Sequence, residues 1–186
     1  MITISFTGHR PNNKFLGGYN INSPRNLKIA NLMRKEILNI IEDNPQEHHF
    51  HFISGMALGI DTIAFKIADM LKEKSTKYII TTECAVPFRN QACKWSQDSQ
   101  NDYDKMLLLS DKITLVDTLD EYKIKDYKEK VYYPAKMQKR NEYMVDKSDY
   151  IVAVWDGSKK GGTYNAVKYA EKQKIKIVRI DPVEIL

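Results

Sequence analysis

The stretch YIVAVWDGSKKGGTYNAV, residues 150–167, joins an apolar run to a glycine-rich turn and an amphipathic segment. The run YIVAV carries no charge, which is typical of a strand covered on both faces. Gly157, Gly161 and Gly162 follow before Thr163 opens a segment with helical spacing. A strand, a glycine turn and a helix in this order predict a βα unit. By itself, the turn could be a tight connection or a cradle for an anion.

The same alternation of apolar runs and amphipathic segments continues along the chain. The apolar runs predict strands at 2–8, 49–55, 77–83, 112–117, 150–156 and 175–180. Segments with apolar residues at helical spacing predict helices at 24–43, 59–73, 97–110, 134–147 and 162–174. Strand followed by helix, repeated, predicts parallel strands joined by right-handed crossovers. The predicted fold class is therefore α/β, a doubly wound, mainly parallel sheet with helices on both faces.

Length and composition set the broad class. The 186 residues predict a single domain, 1–186, in which the polar, tyrosine-rich segment 118–133 forms an exposed excursion. The net charge of +5 favours anionic partners only weakly. Lysines alternate with acids in stretches such as DEYKIKDYKEK, which argues against a nucleic-acid partner.

Targeting and cysteine patterns predict a cytoplasmic protein. No apolar stretch is long enough to cross a bilayer, and the N-terminus lacks the pattern of a signal peptide. Cys84 and Cys93 are spaced for neither a zinc site nor a disulfide framework. Free thiols agree with a reducing compartment.

Glycine and polar residues follow several predicted strands, whose carboxyl ends would form one rim of the sheet. In such sheets ligands bind beyond that rim, beside helix N-termini that attract anions. For one turn a tight connection is the simpler interpretation, but the set of turns predicts a binding site. The predicted ligand-binding residues are Thr7, Gly8, His9, Arg10, Ser54, Gly55, Met56, Gly59, Asp61, Gly157, Gly161, Gly162, Thr163 and Asn165.

The charged and hydroxyl side chains of this set allow two interpretations each. Arg10 could pair with a phosphate or remain a solvated loop residue. Asp61 could belong to the site or complement the dipole of the helix that it begins. Thr163 could contact a ligand or cap its helix. Glu83 and Asp156 end predicted strands, where a carboxylate could hold ribose, act as a general base, or cap the strand.

His48, His49 and His51 cluster at the opposite, amino end of the sheet. A polar loop accounts for them, and no metal site is predicted because no further residues supply matching ligands. Trp95 and Phe88 could stack on a base or pack in the core.

Five motifs occur in order along the chain: FTGHRP (6–11), ISGMALGIDTIA (53–64), VPFRNQACKW (86–95), KRNEYMVDKSDYIVAVWDG (139–157) and GGTYNAVKYA (161–170). Together they resemble the YpsA-like branch of the SLOG superfamily. That superfamily is Rossmann-like and similar to the LONELY GUY phosphoribohydrolases and the DNA-processing protein A family. The resemblance implies a nucleotide-type ligand, held in a phosphate and ribose pocket. The residues that match this pocket are Thr7, Gly8, Ser54, Gly55, Gly161, Gly162 and Thr163, with Arg140 holding or activating the substrate.

One departure from the related enzymes bears on catalysis. The phosphoribohydrolases carry a glutamate three residues after the threonine of their glycine motif, and Ala166 stands there in this chain. A carboxylate that would stabilise a cationic sugar is therefore missing. Asp156, Glu83 and Arg140 are the remaining candidates for catalytic roles.

The leading hypothesis is binding or sensing of a nucleotide or nucleotide-derived ligand, of the NAD or ADP-ribose type or a nucleoside monophosphate. No other cofactor is predicted. The alternatives are a nucleotide N-glycosidase and a single-stranded DNA binder. A homodimer through the helices that flank the sheet is also compatible with this class.

Overall fold

A six-stranded parallel sheet forms the centre of the computed structural model, which describes residues 1–125, 128 and 131–185. Its strand order is β4-β3-β2-β1-β5-β6, and every neighbouring pair is parallel. This order confirms the predicted Rossmann-like α/β class. The strands are β1 (Ile2–Gly8), β2 (His49–Ser54), β3 (Ile79–Val86), β4 (Lys112–Leu115), β5 (Tyr150–Val154) and β6 (Lys176–Ile180).

Helices cover both faces of the sheet. The first three pack on one face and the last two on the other. Their bounds lie within a residue or so of those predicted, because apolar periodicity and capping residues mark their ends. They are α1 (Pro24–Glu42), α2 (Ile60–Lys74), α3 (Gln97–Leu109), α4 (Pro134–Asp146) and α5 (Gly162–Gln173).

The beginnings of the helices differ in a way that matters for the site. The side chains of Ser23 and Ser96 accept hydrogen bonds from N–H groups in the first turns of α1 and α3. Such caps satisfy donors that a helix leaves unpaired. Gly161 stands at the corresponding position of α5, and no side chain caps that helix. Its first N–H groups are therefore available to another acceptor.

Side chains of the central strands alternate between two apolar layers. Phe6 and Phe52 stack at 6.2 Å between ring centroids on the face covered by α1 and α2. Ile53 and Ala85 point to the opposite face and pack with Met144 of α4. Both faces of the central strands are thus buried, which explains their nearly continuous apolar sequences.

The chain reverses its direction of winding beside β1. It adds β2, β3 and β4 successively on one side and then returns to place β5 on the other side of β1. The carboxyl ends of β1 and β5 therefore border the crevice at which α/β sheets bind ligands.

The predicted end of the third strand is wrong. The strand continues from Glu83 through Cys84 to Val86, so Glu83 lies in its interior and is 1% exposed. Its carboxylate accepts hydrogen bonds from Tyr143 and Lys112, the latter at 3.0 Å, and contacts His51 at 3.0 Å. These contacts allow a charged residue to occupy a buried strand position.

The predicted excursion at 118–133 includes residues 126, 127, 129 and 130, which lie outside the described residues. Most of its described residues are exposed. Tyr122 is an exception because it is 7% exposed and donates a hydrogen bond to Asp146 on α4. Within the described residues no helix is long and apolar enough to cross a membrane.

Candidate functional site

An open cleft of about 370 Å³ lies at the carboxyl ends of β1 and β5, where the chain reverses its winding. It contains nine residues that the sequence singled out: Thr7, Gly8, His9, Arg10, Asp61, Arg140, Gly161, Gly162 and Thr163. These residues come from four separate parts of the chain. The fold thus brings the glycine turns before α2 and α5 close to the end of β1.

One wall of the cleft is the beginning of α5. The backbone N–H groups of residues 161–164 have no hydrogen-bond acceptor within the described chain. A Cβ at Gly161 or at Gly162 would meet no atom within 4 Å, so the space beside this turn is open. Thr163 lies in the first turn and does not cap the helix. Free amides and the positive end of the helix dipole suit an anion here.

A buried ion pair forms the floor of the cleft. Arg140 of α4 donates from Nη1 to Oδ2 of Asp61 on α2 at 2.9 Å, and their side chains are 5% and 9% exposed. The N–H of Ala57 also donates to this oxygen, at 3.3 Å. Burial lowers the pKa of Arg140, and the charge of Asp61 offsets part of that effect. Arg140 remains a cation, because its pKa starts far above neutral pH.

Arg140 keeps an unused donor at this position. Its Nε is buried and has no hydrogen-bond partner in the described chain. Such orphaned donors are rare in folded proteins, and a functional role is a recognised reason for one. Arg10, which also lines the cleft, is close enough to disfavour the charge of Arg140. The floor is therefore rich in positive charge.

Ser54 and Gly55 support this ion pair and do not line the cleft. The hydroxyl of Ser54 donates to the backbone carbonyl of Asp61 at 2.9 Å. At Gly55 a Cβ would lie 1.4 Å from Nη1 of Arg140, so glycine is required for the guanidinium to fit. Ser54 and Gly55 therefore lie behind the ion pair and not at the surface of the cleft.

Met56 and Gly59 shape the turn between β2 and α2 and are likewise absent from the cleft lining. Met56 is fully buried in an apolar cluster with Phe65, although its φ is 59°. At Gly59, with φ of 99°, a Cβ would lie 2.6 Å from the carbonyl oxygen of His9. This close approach places α2 against the segment after β1.

His9 and Asp156 form a pair at the edge of the cleft. His9 lines the cleft, whereas Asp156 does not. Nε2 of His9 lies 3.3 Å from Oδ1 of Asp156, but no hydrogen bond joins the two atoms. Partial burial would raise the pKa of Asp156, yet hydrogen bonds from Ser158 outweigh this effect and lower it. Asp156, which the sequence predicted as a catalytic carboxylate, is thus separated from the cleft by His9.

Two further predicted ligand contacts lie away from the cleft lining. Gly157 lies beside the guanidinium of Arg179. Asn165 is exposed on α5. Ala166, at the position of the enzymes' glutamate, is 1% exposed and packs inside the protein. A longer acidic side chain at this position would have to displace core residues.

Several lining residues were not among those that the sequence predicted. Met137 and Asn141 of α4 line the cleft together with Arg140; Met137 lies about one helical turn before each of the other two. Helical spacing from Arg140 is the signal that would have found Met137. The remaining additional lining residues are Asn12, Asn13, Ala57 and Lys160.

The residues proposed for base stacking and the second predicted carboxylate lie elsewhere. Trp95 packs edge-on against Tyr103, and the buried Phe88 packs against Tyr132. Glu83 does not line the cleft. Burial would raise the pKa of Glu83, but hydrogen bonds from His51, Tyr143 and other neighbours outweigh burial and lower it to about 2.

The chain is similar in sequence to bacterial proteins along most of its length. It is 43% identical over 141 residues to the SPbeta prophage-derived protein YoqJ of Bacillus subtilis (strain 168), covering 75% of this chain and 81% of YoqJ. It is 27% identical over 174 residues to a UPF0398 protein of Halalkalibacterium halodurans, covering 94% of this chain and 82% of that protein.

The structure of DNA processing protein A from Helicobacter pylori, known for its single-stranded DNA binding mode, is similar with a TM-score of 0.53. At 15% identity this likeness shows the fold alone. It covers 97% of the present chain, which spans 65% of that protein's chain. The YpsA family model, described as the YspA SLOG family, matches residues 4–185. This match confirms the resemblance carried by the five motifs, and the chain belongs to the YspA SLOG family.

Proposed function

We propose that the cleft binds a nucleotide or a nucleotide-derived molecule through its phosphate. The phosphate would accept hydrogen bonds from the free amides at the start of α5, with Arg10 and Arg140 neutralising its charge. Asn12, Asn13 and Asn141 line the same cleft, and their amide groups can both donate and accept hydrogen bonds. Such groups suit ribose hydroxyls and base edges.

The observation that carries this proposal is the convergence of two unsatisfied donor sets in one cleft. Uncapped N–H groups face open space on one side, and a buried arginine with a free Nε lies on the other. The amides of this turn are exposed, so an anion there would replace water and gain from the positive end of the helix dipole. Membership of the SLOG family supports a nucleotide as the source of that anion.

Two adjacent lysines provide a matched test. Both lysines are exposed, but Lys160 lines the cleft and Lys159 does not. Isothermal titration calorimetry would measure the binding of AMP, ADP, ADP-ribose and NAD to the wild type, Lys160→Gln and Lys159→Gln. We expect Lys160→Gln to weaken binding about 2- to 10-fold, because it removes one charge near the phosphate. Lys159→Gln should bind as the wild type does.

The result that contradicts the proposal is equally concrete. If none of these nucleotides binds, or if both lysine variants weaken binding equally, the anion does not lie at the start of α5. Mass spectrometry of small molecules released on denaturing the purified protein would identify a ligand without prior assumption.

The composition of the cleft favours a small molecule over a DNA strand. No phenylalanine, tyrosine or tryptophan occurs among its described lining residues. Proteins that bind single-stranded DNA without sequence preference depend on stacking of bases on such side chains. The DNA binding described for the Helicobacter pylori protein therefore remains the weaker expectation here. A salt-dependent gel shift with single-stranded DNA would make DNA the favoured ligand over a small molecule.

The pair of His9 and Asp156 favours a second candidate function, that of a nucleotide N-glycosidase. A histidine beside a carboxylate can transfer protons at neutral pH. In this role His9 would transfer a proton to or from the reacting group, and Asp156 would orient the ring of His9. Chromatography of AMP and NAD incubated with the protein would detect released base. Loss of that release in His9→Gln, with nucleotide binding retained, would locate the proton transfer.

A further inference from the structure

The charges around the cleft constrain the form in which a phosphate ligand can bind. Three cations line the cleft, Arg10, Arg140 and Lys160, together with the positive end of α5. Asp61 is the one carboxylate among the described lining residues. The lining is therefore arranged for negative charge.

The carboxylate of Asp61 is already paired with a cation. It is 7% exposed, and its Oδ2 already accepts hydrogen bonds from Arg140 at 2.9 Å and from Ala57 at 3.3 Å. A divalent cation bound to this oxygen would stand directly beside the guanidinium. The described residues contain no group of three or more histidine, cysteine or acidic side chains that could hold a metal.

Proteins that bind phosphates together with Mg²⁺ supply one or two carboxylates to the ion. Here the described lining has three cations and three asparagine amides, and its one carboxylate is paired with Arg140. We infer that the cleft binds its phosphate ligand free of Mg²⁺, so that Mg²⁺ competes with the protein for the ligand. This inference rests on the proposed function and narrows its ligand class.

The ligands that fit are those whose phosphates hold Mg²⁺ weakly. Monophosphates and pyrophosphate diesters belong to this class. Nucleoside triphosphates, which chelate Mg²⁺ through adjacent phosphates, would arrive with their charge partly neutralised. The arginines and the helix N-terminus would then lose much of their attraction for the ligand.

Inorganic pyrophosphate is a suitable probe, because it chelates Mg²⁺ and has no base or sugar. Calorimetry would compare its affinity in EDTA and in excess MgCl₂ at equal ionic strength, with inorganic phosphate as the weakly chelating partner. We expect Mg²⁺ to weaken pyrophosphate binding about tenfold or more. Binding of phosphate should change by less than about twofold.

The variant Asn141→Asp tests the electrostatic cause. It adds a carboxylate of the same shape to the cleft wall, next to the carbonyl of Gly162. We expect pyrophosphate to bind this variant more weakly in EDTA and to lose less affinity when Mg²⁺ is added. An unchanged Mg²⁺ effect in Asn141→Asp would overturn the inference.

Failure of this inference can be distinguished from failure of the proposed function. Pyrophosphate binding that is equal or tighter with Mg²⁺ overturns the inference, even if nucleotides bind. Pyrophosphate binding that Mg²⁺ weakens in the wild type, and weakens less in Asn141→Asp, supports the inference even if no nucleotide competes for the site. No binding of either anion in any condition overturns the inference, and the proposed function fails as well only if the nucleotides also do not bind.

Discussion

The ion pair beneath the cleft predicts opposite effects of one substitution on stability and on anion binding. In Asp61→Asn the shape of the side chain is kept and its charge is removed. Arg140 would then be a buried cation without a counter-ion. The free protein should lose stability, and an anion in the cleft should restore more of it than in the wild type.

The expected loss follows from the geometry of the pair. Removing one partner from a buried ion pair costs about 3–5 kcal/mol. The asparagine oxygen still accepts hydrogen bonds from Arg140 and Ala57, and the open cleft lets water approach the guanidinium. We therefore expect the free energy of unfolding to fall by about 2–3 kcal/mol. For a protein of this size the midpoint of thermal unfolding should fall by about 4–12 °C.

Urea denaturation followed by circular dichroism would measure the loss, with and without inorganic pyrophosphate. Asp69→Asn is the matched control, since Asp69 lies on the same helix, away from the cleft lining. Its substitution should change the free energy of unfolding by less than about 0.5 kcal/mol. Pyrophosphate should stabilise Asp61→Asn more than it stabilises either the wild type or Asp69→Asn.

Two results would refute this reasoning. If Asp61→Asn is as stable as the control, the ion pair contributes nothing that the amide cannot replace. If Asp61→Asn is destabilised but pyrophosphate protects it no better than the wild type, Arg140 does not reach the bound anion.

Two further predictions concern the surroundings of the cleft and a distant buried charge. Gly55→Ala should weaken both folding and pyrophosphate binding, because the added Cβ would displace Arg140. Gly162→Ala is the control: its added Cβ would meet no atom within 4 Å, so urea titrations should show wild-type stability. The carboxylate of Glu83, whose pKa falls from 4.5 to about 2 on folding, should contribute about 3 kcal/mol above pH 4.5. This contribution should be lost as the pH falls towards 2, and urea titrations of Glu83→Gln across the same range should lack that part of the pH dependence.

Local patterns in the sequence were sufficient to predict most of the fold. Each apolar run and each glycine turn depends on residues close together in the chain, so the strands and helices could be predicted independently. Their order then restricted the sheet to a doubly wound arrangement. The cleft followed from the same features, because the turn at 155–163 ends a strand and begins a helix.

The failures involve contacts between residues that are distant in the sequence. Glu83 resembled a strand end because a charge usually ends a buried strand, but His51, Lys112 and Tyr143 compensate that charge in the interior. Gly55 was expected to approach a ligand, and the group that it accommodates is Arg140, which comes from another layer of the fold. Neither partner can be found by spacing along the chain.

The position of the ion pair explains why stability and binding should be coupled at this site. Asp61 belongs to a helix on one face of the sheet and Arg140 to a helix on the other, and they meet at the rim beside Gly55. Their contact therefore holds the two helical layers together where the cleft opens. An anion that approaches Arg140 competes with Asp61 for the same guanidinium charge. Its affinity is set by the difference between two attractions, so weakening the carboxylate strengthens the site at the expense of the fold.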